Sequence, residues 1–264
     1  MKQGLEEGAK AVGGAQAIRR AMDVIRAVAQ FQRHGATLNK VAKATDLNQS
    51  TAFRILRSLV EERMLYFEEG NRTYHLGLLA FELGLATQGR SQVQDYWRPV
   101  VEQIAQRTRL TTYLMARSGD DAVCLLCVQG AAMIRAMPMD VGQRLPLGIG
   151  AGSMAILATL DDEESRPLIE DQVKRRALFP GGRADSEQLL KRVTQARASG
   201  FAISSGTVAS GLSGIGVAIV PRQGLLQLAI SVSAVAESFD PAEARQIAGT
   251  IAAAISARGQ ARAA

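Results

Sequence analysis

The stretch ATDLNQSTAFRILRSLVEERML, Ala44 to Leu65, constrains the fold more than any other. A short polar turn leads into a run in which Ala52, Ile55, Leu56, Leu59 and Val60 recur at helical spacing and form one apolar stripe. That stripe must be buried against neighbouring elements, and two helical patterns precede it. AIRRAMDVIRAVAQF sets Ile18, Met22, Ile25, Val28 and Ala29 on one face, and RHG ends it, with Gly35 as a C-terminal left-handed residue. TLNKVAKAT is capped by Thr37 and turns Leu38, Val41 and Ala42 inward. The turn TDLN needs a residue tolerant of positive φ, which is either Asp46 or Asn48, and Leu47 plugs the core. Two short helices, a tight turn and a third helix with a polar front make a helix-turn-helix.

In such a unit the last helix enters the major groove and its N-terminal residues reach base edges. Gln49, Ser50, Thr51, Arg54, Arg57 and Ser58 lie off the apolar stripe. Gln and Arg suit purine edges, and Ser and Thr suit phosphates. Thr37, Lys40 and Lys43 on the preceding helix extend the same surface. Next, LYFEEGNRTYHL reads as two strands around a Gly-Asn turn, the wing of a winged helix. Arg72 at its tip is placed to touch DNA, whereas Glu68 and Glu69 repel phosphate. Leu65, Tyr66, Tyr74 and Leu76 close the small core.

Charge supports a polyanion partner. From Ala15 to Arg57 eight Lys/Arg face two acids, an excess equal to the whole chain's +6. From Ser91 onward 18 basic and 16 acidic residues nearly cancel. A basic segment on an otherwise balanced chain is a nucleic-acid footprint.

With 264 residues, 47% apolar, the chain has room for one large or two ordinary domains. No apolar run approaches the roughly 20 residues needed to span a bilayer. The start MKQGLEEGAKAVGGAQ has no apolar signal core and reads as a disordered leader, residues 1–14. Two cysteines make no disulfide framework, so a cytoplasmic location is expected. The winged helix-turn-helix then occupies 15–76. GLLAFELGLATQGR, within 77–93, is a linker helix too apolar for a free spacer and is expected to be partly buried in a dimer contact.

Residues 94–264 read as a second, α+β domain. An amphipathic helix, VQDYWRPVVEQIAQRT, opens it. Strand patterns follow at TTYLMAR, AVCLLCVQ and MIRAMPM, then a helix at GAGSMAILATL behind a Gly-rich loop. Charged helices cover 161–176 and 186–198. FAISS, GIGVAIV and LLQLAISVSA are three more strands, with PRQG a turn, and a closing helix begins at Pro241. The sheet is expected to be mostly antiparallel.

Nothing in this half assembles a catalytic set. Both histidines, His34 and His75, lie in the first ninety residues. In CLLC, strand geometry would point Cys124 and Cys127 to opposite faces, as buried structural thiols rather than a redox or zinc pair. GIGAGS lacks the Gly-Lys-Ser/Thr ending of a P-loop, and GLSGI lacks the last glycine of a nucleophile elbow. The expectation is a protein that is not an enzyme and uses no metal and no cofactor.

LNQSTAFRILRSLVEERMLYFEEGNRTYHLG resembles the winged-helix half of the IclR family of bacterial transcriptional regulators. The most specific part is the ST-x-x-R-x-L-x-x-L helix followed by Y-x-L-G. VGQRLPLGIGAGSMAILATL and GLLQLAISVSA resemble hallmark segments of that family's effector-binding domain, a GAF-like α/β fold. The resemblance implies a repressor or activator that binds a double-stranded DNA operator as a homodimer, often a dimer of dimers. A small organic acid effector would occupy the C-terminal pocket, with no cofactor and no membrane. Carried over by position, the effector site comprises the loop Gly150, Ala151 and Gly152, the serine pair Ser231 and Ser233, and the apolar wall Ile134 and Leu212. Ser204 and Thr207 stand where relatives frequently carry acids, and Gly214 where they carry cysteine. These departures imply a larger or more aromatic acid than small keto acids. The serines could instead be satisfied within the sheet. Two other readings stay open: an enzyme with an appended DNA-binding domain, and a regulator whose sensor domain only oligomerises.

Overall fold

The computed structural model describes residues 13–31, 34–86, 88–132, 139–171, 173–177, 179, 185–219, 226–235 and 239–260. Most of the 1–14 leader, Arg33, Ile134, nearly all of the MIRAMPM strand and the PRQG turn lie outside them. The chain divides into two compact units, Met1–Gly89 and Arg90–Ala264.

The first unit contains α1 (Gly13–Gln30), α2 (Leu38–Thr45), α3 (Gln49–Glu61), β1 (Leu65–Glu68), β2 (Thr73–Leu76) and α4 (Leu78–Ala86). Thr37 caps α2, its side chain accepting from the Lys40 N–H. Asp46 is the turn residue with positive φ, at 53°, and ends α2. Asn48 instead caps α3, accepting from the Thr51 N–H at 2.8 Å. Asp and Asn both tolerate the left-handed region, so only the fold decides between them. The core gathers Val24, Ala27, Val28, Val41, Leu56, Leu65 and Tyr74, with Leu47 packed against it.

Two expected orientations are corrected. On α1 the buried side is Val24, Ala27 and Val28, while Ile18 and Met22 are 67% and 42% exposed. Helices α2 and α3 are short, and the small core they form with α1 includes no residue of α1 before Val24. In the hairpin, Tyr66 is exposed rather than core-closing. It pairs with His75 across the strands and stacks on that ring at 4.9 Å, because alternate strand residues share a face and Leu65 takes the inner one.

The second unit begins within α5 (Gln88–Thr108) and continues through β3 (Thr111–Ser118), β4 (Asp121–Val128), β5 (Arg144–Pro146), α6 (Ala151–Ala158), α7 (Asp162–Asp171), α8 (Val173–Arg176), α9 (Ser186–Ser199), β6 (Ala202–Ser205), β7 (Leu212–Ile219), β8 (Leu228–Val235) and α10 (Pro241–Gln260). Its sheet runs β5-β4-β3-β8-β7-β6 with every pairing antiparallel. One face packs on α5 and α10 through Trp97, Val101, Ile104, Ile247 and Ile251. The other carries α6, with Ile156, Leu157 and residues of α7 and α9. Strand β5 did not stand out in the sequence, being three residues long and ending in Pro146, which an edge position tolerates.

Cys124 and Cys127 do not point to opposite faces. Both belong to the cluster on the α6 side of the sheet. The pairing of β3 with β4 slips by one residue: Met115 faces Cys124 and Leu114 faces Leu126, leaving Leu125 without a partner. This bulge shifts the alternation by one, so residues three apart come to share a face.

Candidate functional site

Two sites emerge, one in each unit. The first is the outward face of α3. Gln49, Ser50, Phe53, Arg54, Arg57 and Ser58 are all exposed, and Thr51 is half-buried. Several are pre-set. Gln49 Nε2 donates to Asn39 Oδ1 on α2 at 2.8 Å, which ties the two helices together at the tip. Ser50 donates to Asn48 Oδ1 at 2.9 Å. Arg57 pairs with Glu61 one turn on, at 3.0 Å. Arg54 makes no ion pair within the described residues, so its fork of donors is open to a partner. Lys43 is exposed, and Lys40 reaches over the Phe31 ring at 5.2 Å. Arg72 sits at the hairpin tip with φ 53°. All ten residues expected to face DNA therefore lie in the first unit, nine of them on or at the ends of α2 and α3.

The second site is a half-open cavity over the sheet at the N-terminus of α6. Three small residues let the helix come this close. A Cβ on Gly152 would stand 2.8 Å from both Met115 Cγ and Ser231 Oγ, and a Cβ on Gly216 would collide with the Ala151 carbonyl. A Cβ on Gly214 would fall 3.3 Å from the Ala151 Cβ, and 2.9 Å from the Val232 carbonyl of the neighbouring strand. Strand register then lines up two polar rows. Ser204, Gly214, Ser233 and Thr111 pair in succession across β6, β7, β8 and β3. In the next row Gly216, Ser231 and Tyr113 are neighbours.

The helix presents its N-terminus to this floor. Gly150, with φ 81°, provides no side-chain cap. Its own N–H donates to Thr207 Oγ1 at 3.1 Å. The amides that follow belong to the first turn, which has no intrahelical acceptor to bond and carries partial positive charge. Ser153 also lines the cavity, but its hydroxyl is taken up in donating to the Ile149 carbonyl. Ser231 is 6% exposed, and its hydroxyl has no hydrogen-bond partner among the described residues. Ser233 donates to the Tyr113 phenolic oxygen at 3.5 Å. Burial holds the Tyr113 phenol well above its ordinary value, and the Cys127 and Cys124 thiols add to this while the bond from Ser233 opposes it. Burial likewise pushes the Cys124 thiol up to about 12. Neither group is charged near neutrality, and no charged side chain lines the cavity among the described residues.

Gly150, Ala151, Gly152, Ser204, Leu212, Gly214, Ser231 and Ser233, named from the sequence, all line this one cavity. Ile134 falls outside the described residues. Tyr113, Met115, Met139, Leu145 and Val208 line it too and went unnoticed. On β3 the alternation Tyr113, Met115 marks one face, but only the cross-strand pairing puts that face under α6. Among the described residues no His, Cys, Asp and Glu cluster could hold a metal.

A helix-turn-helix with a basic outward helix, joined to an α/β unit with a half-open cavity at a helix N-terminus, points to a DNA-binding regulator with a ligand-binding domain. The chain belongs to the IclR family. Residues 17–69 match the IclR helix-turn-helix domain, and residues 86–257 match the C-terminal domain of bacterial transcriptional regulator IclR. Among curated proteins it is 28% identical over 222 residues to the HTH-type transcriptional repressor AllR of Escherichia coli K12, spanning 83% of this chain and 80% of that one. Among solved structures it resembles an IclR family regulator from Brucella abortus, with TM-score 0.73, 19% identity, and coverage of 98% and 96% of the two chains. An IclR homologue from Microbacterium hydrocarbonoxydans, solved in complex with 4-hydroxybenzoate, matches with TM-score 0.65 and 21% identity over 93% and 99%. The protein is thus an IclR-type transcriptional regulator that binds operator DNA and has a C-terminal ligand-binding domain. No described helix is long and apolar enough to cross a membrane.

Proposed function

We propose that the effector is a small organic monocarboxylate with an apolar, aromatic body, and that it modulates operator binding. The observation that carries this reading is Ser231. It is a buried hydroxyl with no hydrogen-bond partner among the described residues, beside a helix N-terminus that no side chain caps. Buried polar groups without a partner are rare and call for an explanation, and helix N-termini are ready anion sites. A carboxylate would accept from the first-turn amides of α6 and from Ser231, with Ser204 and Ser233 flanking it. Its body would rest on Met115, Met139, Leu145, Val208 and Leu212. The lack of a charged lining residue among those described favours one carboxylate over two, since backbone dipoles offset about half a charge. The 4-hydroxybenzoate complex of the Microbacterium homologue is in keeping with this class.

On the DNA side we assign base contacts to Gln49 and Arg54. Backbone contacts go to Thr37, Lys40, Lys43, Ser50, Thr51, Arg57, Ser58 and Arg72. A second copy of the chain would cover α4, whose Leu78, Phe81, Leu83 and Leu85 are all more than half exposed, together with Ile18 and Met22. A two-fold dimer reads two half-sites, and residues 77–93 would serve as the linker between a DNA-binding part, 15–76, and an effector-binding part, 94–264. The repressor name of the AllR relatives favours repression, with the effector releasing DNA.

The test is calorimetry of the full chain with benzoate, 4-hydroxybenzoate, pyruvate and glyoxylate, alongside competition for a selected operator duplex. Aromatic acids are expected to bind and to shift DNA affinity. Binding by the two- and three-carbon acids alone would overturn the effector class.

A further inference from the structure

The outward face of α3 carries one residue that charge and hydrogen bonding do not explain. Phe53 is 47% exposed and takes no part in the first unit's core. A lone exposed apolar side chain is ordinary on a general surface. Phe53, however, lies at the centre of the basic face that the preceding reading aims at DNA. It stands four residues after Gln49 and four before Arg57, so the three share one column along the helix. Both neighbours are held by partners of their own, Gln49 by Asn39 and Arg57 by Glu61. Ser50 and Arg54 form a parallel column beside it.

The major groove offers one apolar feature, the C5-methyl group of thymine. We propose that Phe53 is a specificity-determining residue that packs against a thymine C5-methyl in each half-site, beside the base contacted by Arg54. This rests on α3 being the recognition helix. The ring adds a preference that the polar residues cannot supply, since Gln and Arg read donors and acceptors and are indifferent to a methyl group. Contact with the duplex also removes from water apolar surface that the free protein leaves exposed.

The experiment uses the full chain. Duplexes are selected from a random pool, and each thymine of the enriched site is then replaced by deoxyuridine, which deletes only the methyl. One thymine per half-site is expected to show about a fourfold loss of affinity on replacement, the equivalent of one buried methyl-sized group. Phe53→Ala is expected to bind the thymine site more weakly and to make no distinction between thymine and deoxyuridine there. If no position responds to methyl removal in the wild-type protein, or if Phe53→Ala keeps the same response, the assignment of Phe53 is overturned. If Arg54→Ala also leaves affinity for the enriched site unchanged, the recognition-helix reading falls with it.

Discussion

Helices α3 and α6 both begin at a candidate site, yet they are built in opposite ways. The front of α3 is closed by its own sequence: Asn48 accepts from the Thr51 amide, and Ser50 adds a second bond to the same oxygen. The front of α6 has no such side-chain cap. Helix α3 is exposed and charged on one side, whereas seven of the eight residues of α6 are buried. The difference follows from the partners. DNA is a large polyanion met at the surface, so long-range charge and flexible cations suffice. The proposed carboxylate effector would have to be taken from water into a cavity. There, preorganised amides and hydroxyls replace its hydration without burying a cation, which would itself cost several kcal/mol.

The strongest way to break this contrast is Gly216→Ala. Its Cβ meets the Ala151 backbone carbonyl, so α6 must lift from the sheet. A loss of up to ~3 kcal/mol is expected in denaturant unfolding of the second unit, with effector binding abolished. Unchanged stability would mean that the close approach does not shape the site. Next, Ser231→Ala should weaken a carboxylate effector by ~2 kcal/mol in calorimetry, as for a hydrogen bond to a charged group. It should leave affinity for DNA alone intact. On the other helix, Arg54→Ala should cost ~1.5 kcal/mol on a selected site, while Arg57→Ala, already satisfied by Glu61, should cost less. Equal losses in a binding titration would erase that distinction. Lys43→Ala should weaken all duplexes alike and reduce the salt slope of binding by about one.

A final prediction concerns the neutral lining. The Cys124 thiol ordinarily titrates near 9 but is held to about 12 in the fold. Below pH 9 both folded and unfolded chains keep the proton, so nothing is lost. Between these values the unfolded chain releases it first, and stability falls as pH rises. The raised Tyr113 phenol acts in the same direction. Urea unfolding of the second unit at about pH 8 and about pH 10.5 should show the loss, and Cys124→Ala should reduce it. A pH-independent midpoint would show that these groups are more hydrated than their burial indicates.

Much of the first unit was legible because its signals are local. The stripe from Ala52 to Val60, the Thr37 cap and the Leu47 plug depend on residues a few positions apart, and helical periodicity exposes them. Where that reading failed, as with Ile18 and Met22, the pattern was correct as an amphipathic face but said nothing of how far the small core extends along α1. In the second unit, Ser231 and Ser233 shared a face as expected for residues two apart. Cys124 and Cys127 did not obey the same rule, because a bulge depends on two strands and no single strand announces it.

The sequence by itself determined a three-helix unit with a wing, the gathering of positive charge before Arg57, and an uncharged Gly-rich loop opening a helix. Each is a property of neighbouring residues. Only the tertiary structure decided that Tyr113, Met115 and Leu145 meet that loop, and that Asp46 rather than Asn48 takes the turn. Only tertiary structure shows that Phe53 faces outward at the centre of the basic face. The strands that frame the cavity lie up to 120 residues apart, as the Ser233–Tyr113 bond shows. Their register is set by packing of the whole sheet, which no local pattern encodes.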